Sequence, residues 1–71
     1  MIKVYGKESG CSKCEVIKSK LNKKNISYEY ITEVGDVMEV LKRANTMFTP
    51  VIEVDGILYN FTQANDLINN M

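Results

Sequence analysis

The chain has 71 residues, 45% of them hydrophobic and 25% charged, with nine basic and nine acidic side chains and no formal net charge. That length bounds it to one domain, residues 1–71, with a single small core, and the composition is that of a folded chain, not a disordered one. No apolar run approaches the roughly 18 residues of a membrane helix, and Met1-Ile2-Lys3-Val4-Tyr5 reads at once as a strand without the apolar segment of a secretory leader, so the expected compartment is the cytoplasm.

In chain order, Ile2 and Val4 alternate with Lys3 and Tyr5 as in a short strand, and Gly6 to Gly10 forms a polar loop. Cys14, Ile17 and Leu21 then recur at i, i+3 and i+7, flanked by Val16 and Lys20, which predicts an amphipathic helix over 12–24. Asn22 to Asn25 closes it. Ile26, Tyr28 and Tyr30 alternate with Ser27 and Glu29, a second strand running to Ile31 or Thr32. After a turn at Gly35-Asp36, Asp36 is the expected N-cap of a helix carrying Val37, Val40, Leu41 and Ala44 on one face. A loop from Asn45 to Thr49 leads to Pro50, the only proline. Val51–Val54 and Ile57–Tyr59 flank Asp55-Gly56, a signal for a two-residue hairpin turn. A last helix beginning near Thr62 places Ala64, Leu67, Ile68 and Met71 at helical spacing. The order β-α-β-α-β-β-α predicts an α/β fold with a four-stranded mixed sheet flanked by three helices, the first two strands parallel and the last two antiparallel.

The two cysteines, Cys11 and Cys14, are the only ones, and they sit where the first loop meets the first helix. A disulfide between them closes too short a loop to constrain much unfolded-chain entropy, so the pair reads as redox-active or metal-binding before structural. Cys11 falls at the first exposed turn, where unpaired backbone N–H groups and the helix dipole favour thiolate, while Cys14 faces inward with Ile17 and Leu21. That asymmetry makes Cys11 the nucleophile and Cys14 the resolving thiol of a dithiol–disulfide oxidoreductase acting on protein or small-molecule disulfides. With no histidine in the chain, proton transfer must involve water, Cys14 or a carboxylate.

Charge is unevenly spread: residues 1–25 carry seven lysines against Glu8 and Glu15, a net of +5, and residues 26–71 carry −5. Lys13, Lys18, Lys20, Lys23 and Lys24 form either a solvated helix face or a cationic rim that lowers the Cys11 pKa and steers anionic partners. No aromatic residues interleave with them, which argues against a nucleic-acid partner. A metal or iron–sulfur site is the competing class, since C-x-x-C is half of a four-cysteine set, but with no further Cys or His its closure needs a dimer or external thiols. A non-catalytic module with inert cysteines is the third. The expectation is a monomer with no bound metal or cofactor, its four tyrosines and four methionines serving packing.

Tyr5, Cys11-Ser12-Lys13-Cys14, Thr49-Pro50-Val51, Val54-Asp55-Gly56 and Asp66-Leu67 together resemble the thioredoxin-fold family, and more closely its small glutaredoxin and glutaredoxin-like redoxin branch, over essentially the whole chain. The resemblance implies a cis Thr49-Pro50 bond beside the cysteines, with Thr49 backbone groups turned outward to hold a peptide or the cysteinyl part of glutathione. Ser12 and Lys13, at the helix start beside Cys11, are the expected thiolate-stabilising residues, and the resemblance implies Lys7, Thr49, Pro50, Gln63, Asn65 and Asp66 as substrate- or glutathione-binding ones. It also implies glutathione as co-substrate and reductant, or in its place a thioredoxin-reductase-type flavoprotein, as for the redoxins that donate electrons to ribonucleotide reductase. Departures bear on that choice. Ser12-Lys13 replaces the usual Pro-Tyr, and Lys7 stands one residue further from Cys11 than the usual basic residue. Thr62-Gln63 replaces a Gly-Gly pair, and Asn65 replaces the first of two acids.

Overall fold

The computed structural model describes all of residues 1–71. Its elements are β1 (Ile2–Tyr5), α1 (Ser12–Lys23), β2 (Tyr28–Ile31), α2 (Val34–Arg43), β3 (Val51–Val54), β4 (Ile57–Tyr59) and α3 (Phe61–Asn69). The four strands form one sheet in the order β2-β1-β3-β4. β1 runs parallel to β2 and antiparallel to β3, and β3 runs antiparallel to β4. The mixed sheet read from the element order is thus present.

Alternation along β1 and β3 divides the core. Ile2, Val4 and Ile52 pack with Ile17 and Leu21 of α1 and Ala64 and Ile68 of α3. Tyr5 and Val51 turn the other way onto Val37 and Val40 of α2. Successive strand residues face opposite sides, so two short strands supply both layers. Helices α1 and α3 therefore share one face of the sheet, and α2 covers the other.

Element ends depart from the sequence reading in ways that backbone hydrogen bonding explains. Helix α1 stops at Lys23 because Asn25 takes a left-handed φ of 56°, and the N–H groups of Asn25 and Ile26 turn back to the carbonyls of Asn22 and Leu21. With Ile26 engaged there, β2 begins at Tyr28, two residues later than expected. Asn45 ends α2 in the same way at φ 55°, with bonds from Asn45 and Thr46 to Lys42 and Leu41. Asp36 is not the N-cap of α2. Glu33 is, its Oε1 accepting from the Gly35 N–H at 3.1 Å, so Gly35 and Asp36 lie inside the first turn. Helix α3 starts at Phe61, capped by Asn60, and ends at Asn69, which leaves Met71 beyond it and exposed. The hairpin turn is as expected, with positive φ at both Asp55 (50°) and Gly56 (85°).

Candidate active site

Cys11 is the N-cap of α1: its backbone is extended (φ −123°, ψ 93°), its carbonyl accepts from the Glu15 N–H, and its Sγ accepts from the Cys14 N–H at 3.2 Å. A sulfur in the capping position replaces the usual Ser or Asp oxygen, so the helix start itself holds the reactive atom. One turn on, Cys14 has no exposed surface, packed in the same row as Ile17 and Leu21. The two are joined as a disulfide with a Cα–Cα separation of 5.3 Å. Cys11 is half-buried, so one sulfur of the bond is open to solvent and the other is not.

Thr49 faces this bond from the loop before β3. The Thr49-Pro50 peptide is cis, Pro50 is buried, and Thr49 Oγ1 lies 3.5 Å from Cys11 Sγ. Between the β1–α1 loop, α2 and this loop opens a groove of about 760 Å³ that contains Cys11, Ser12, Lys13, Lys7 and Thr49. Its far wall is apolar: Val34 and Met38 on α2 and Met47 and Phe48 ahead of Thr49, exposed by 70%, 53%, 87% and 76%. These four large apolar side chains are left open along one wall of the groove. Met38 and Met47 were expected to serve packing; in the fold they line the groove together with Phe48.

The remaining expected site residues are placed as follows. Ser12 is exposed at the first helical position, and Lys13 Nζ lies 5.3 Å from the centroid of the Phe61 ring on α3 while still lining the groove. Gln63, Asn65 and Asp66 do not line it. Gln63 is engaged in a capping box, its Oε1 accepting from the Asn60 N–H at 3.0 Å and its own N–H donating to Asn60 Oδ1 at 2.9 Å. Asn65 Oδ1 accepts from Lys20 Nζ, a strut between α1 and α3. Asp66 is exposed, and its backbone carbonyl receives Asn70. Gln63 and Asn65 thus serve in helix capping and in helix packing. No three His, Cys, Asp or Glu side chains converge to form a metal site.

The lysines of α1 divide likewise. Lys18 pairs with Glu15 at 2.9 Å and lies 4.1 Å from the Tyr30 ring centroid, Lys20 reaches Asn65 and Asn69, and Lys24 reaches the Met71 carbonyl. Only Lys13 of that group lines the groove, joined there by Lys7, so the cationic rim shrinks to these two.

Gly6, read from sequence as part of a polar loop, and Tyr30, read as a packing residue of the second strand, both lie at the site. A Cβ on Gly6 would come within 2.7 Å of Tyr30 Oη and 2.8 Å of Cys14 Sγ, so glycine is required there for space. Tyr30 Oη donates to the Lys7 carbonyl, tying β2 to the loop that precedes Cys11. Burial pushes the Tyr30 phenol above its usual range, partly offset by Lys18. A glycine directly after a strand was the one available sequence signal.

An N-capping cysteine, a buried partner one turn later and a cis-proline next to the facing Thr49, on a four-stranded mixed sheet with three helices, belong to the thioredoxin-like fold. No protein-family model and no curated protein sequence matches the chain. Among solved structures it is similar to NrdH-redoxin from Escherichia coli, described as a glutaredoxin-like protein with a thioredoxin-like activity profile. The TM-score is 0.79 and identity 21%, over 99% of this chain and 92% of that one. At that identity the likeness is one of fold.

Proposed function

We propose that this chain is a dithiol–disulfide oxidoreductase of the redoxin kind, acting on disulfides presented in apolar surroundings. The observation that carries the reading is the unequal setting of the two sulfurs: Cys11 caps a helix at the edge of a groove, and Cys14 is fully buried behind it. In the reduced protein the Cys11 thiolate attacks a substrate disulfide, forming a mixed disulfide and releasing one substrate thiolate. Cys14 then attacks Cys11 Sγ, the bond to the substrate breaks, and the second substrate thiol leaves. The Cys11–Cys14 disulfide is the oxidised product of that cycle.

Cys11→Ser abolishes turnover in this scheme, whereas Cys14→Ser accumulates a mixed disulfide detectable by mass as a stable adduct at Cys11. Full disulfide reductase activity in both variants would refute it. A chain of this kind suits a reducing compartment such as the cytoplasm.

For the reductant, the reading favours a thioredoxin-reductase-type flavoprotein over glutathione, because Gln63 and Asn65 are held in intramolecular bonds outside the groove. The thioredoxin-like activity profile by which the similar NrdH-redoxin is described accords with that choice. Coupled reduction of a small disulfide with each donor separately decides it. Faster turnover with glutathione reverses the assignment.

A further inference from the structure

The buried sulfur poses a chemical problem. Cys14 must become a nucleophile in the resolving step, yet it has no exposed surface, the chain has no histidine, and no charged side chain is buried in the core to serve it. Creating a thiolate away from water is costly unless something donates a hydrogen bond to it. The point where a Gly6 Cβ would sit is within 2.8 Å of both Cys14 Sγ and Tyr30 Oη, so this sulfur and this hydroxyl share one small space.

We propose that Tyr30 is a positioning residue for the resolving step, its hydroxyl turning to donate to Cys14 Sγ as negative charge develops there. The proposal rests on the oxidoreductase reading above. In the oxidised pair the hydroxyl donates to the Lys7 carbonyl, which keeps it close to the sulfur while Cys14 carries no charge. The Lys18 ammonium, paired with Glu15, lies over the ring and holds it. A phenol is protonated at neutral pH and burial raises its pKa further, so it remains a donor. In the step assisted, the Cys14 thiol proton is lost and its sulfur bonds to Cys11 Sγ. The Cys11–substrate bond breaks and the departing substrate sulfur takes up a proton, leaving the pair oxidised and the substrate reduced.

The test follows the two releases from a small aromatic disulfide mixed with excess reduced protein. In Tyr30→Phe the first release and the alkylation rate of Cys11 are unchanged, while the second release slows about tenfold, the rate equivalent of one hydrogen bond. Its pH midpoint moves up, with Lys18, Glu15 and Tyr28, the charged and titratable neighbours of the phenol, left in place. A fluorotyrosine at position 30, of nearly the same shape but more acidic, speeds the second release relative to tyrosine. An unchanged second release in Tyr30→Phe overturns the proposal. Equal slowing of both steps also does so, since it would mean that the hydroxyl only braces the loop through Lys7. Absence of any first release from the unmodified protein would instead sink the oxidoreductase reading.

Discussion

At Cys11, two contacts gain strength when the sulfur is charged: the Cys14 N–H at 3.2 Å and Thr49 Oγ1 at 3.5 Å. The first is fixed by the helix, whereas the second depends on one side chain. Thr49→Val keeps the shape and removes the hydroxyl, so alkylation of reduced Cys11 at neutral pH slows by roughly threefold to tenfold, the worth of one ordinary hydrogen bond. The apparent thiol pKa rises with it, as read from the pH dependence of that rate. Behind the pair, Gly6→Ala forces a methyl against both Cys14 Sγ and the Tyr30 hydroxyl. Overpacking of this kind costs roughly 1–3 kcal/mol, measurable as a lower urea midpoint.

The elements are short, and their ends do much to define them. Asn25 and Asn45 close α1 and α2 in left-handed conformations, and α3 opens with the reciprocal Asn60–Gln63 capping box. Loss of the cap oxygen in Asn60→Ala destabilises the protein by about 1 kcal/mol. Gln63→Ala separates two roles for that residue. Its side chain holds the Asn60 N–H and lies outside the groove, so the variant loses part of the cap stability in urea denaturation while any glutathione-dependent rate stays as it was. A raised KM for glutathione would restore Gln63 to the binding site. On the other side of the groove, the exposed stretch of Val34, Met38, Met47 and Phe48 joins α2 to the proline loop. Phe48→Ser therefore weakens turnover of a protein disulfide more than that of a small one.

For the molecule as a whole, two partly buried tyrosines make the fold sensitive to alkali. Burial is the main cause that raises both Tyr5 and Tyr30 above the usual value of 10.0. Above that value the unfolded chain releases phenol protons that the folded chain retains, so these groups stabilise the fold fully below pH 10 and lose that contribution as pH climbs through their folded values. In the oxidised protein, where the cysteines do not titrate, the urea midpoint should hold from neutrality to about pH 9 and then fall. Tyr5→Phe combined with Tyr30→Phe flattens the fall, and an equal fall in that variant would place its origin elsewhere.

Strand and helix order, the Asp55-Gly56 hairpin and the pairing of Cys11 with Cys14 were legible because each depends on residues adjacent in the chain: alternation in β1, a helical row in α1, a turn dipeptide. The resemblance of Thr49-Pro50 to a family motif supplied the cis bond, which local physics does not favour. What neighbours in sequence could not reveal was competition for the same polar groups. Glu33 caps α2 where Asp36 was expected, Gln63 and Asn65 are engaged in a cap and a strut, and most lysines of α1 bind other elements instead of framing the sulfur. Tyr30 lies 16 positions from Cys14 in the chain and meets it only because β1 and β2 pair in parallel, and Met47 and Phe48 join Met38 in one wall only because the proline loop turns back toward α2. Local sequence settled which elements form. Packing between elements decided which side chains were left free to act on the disulfide.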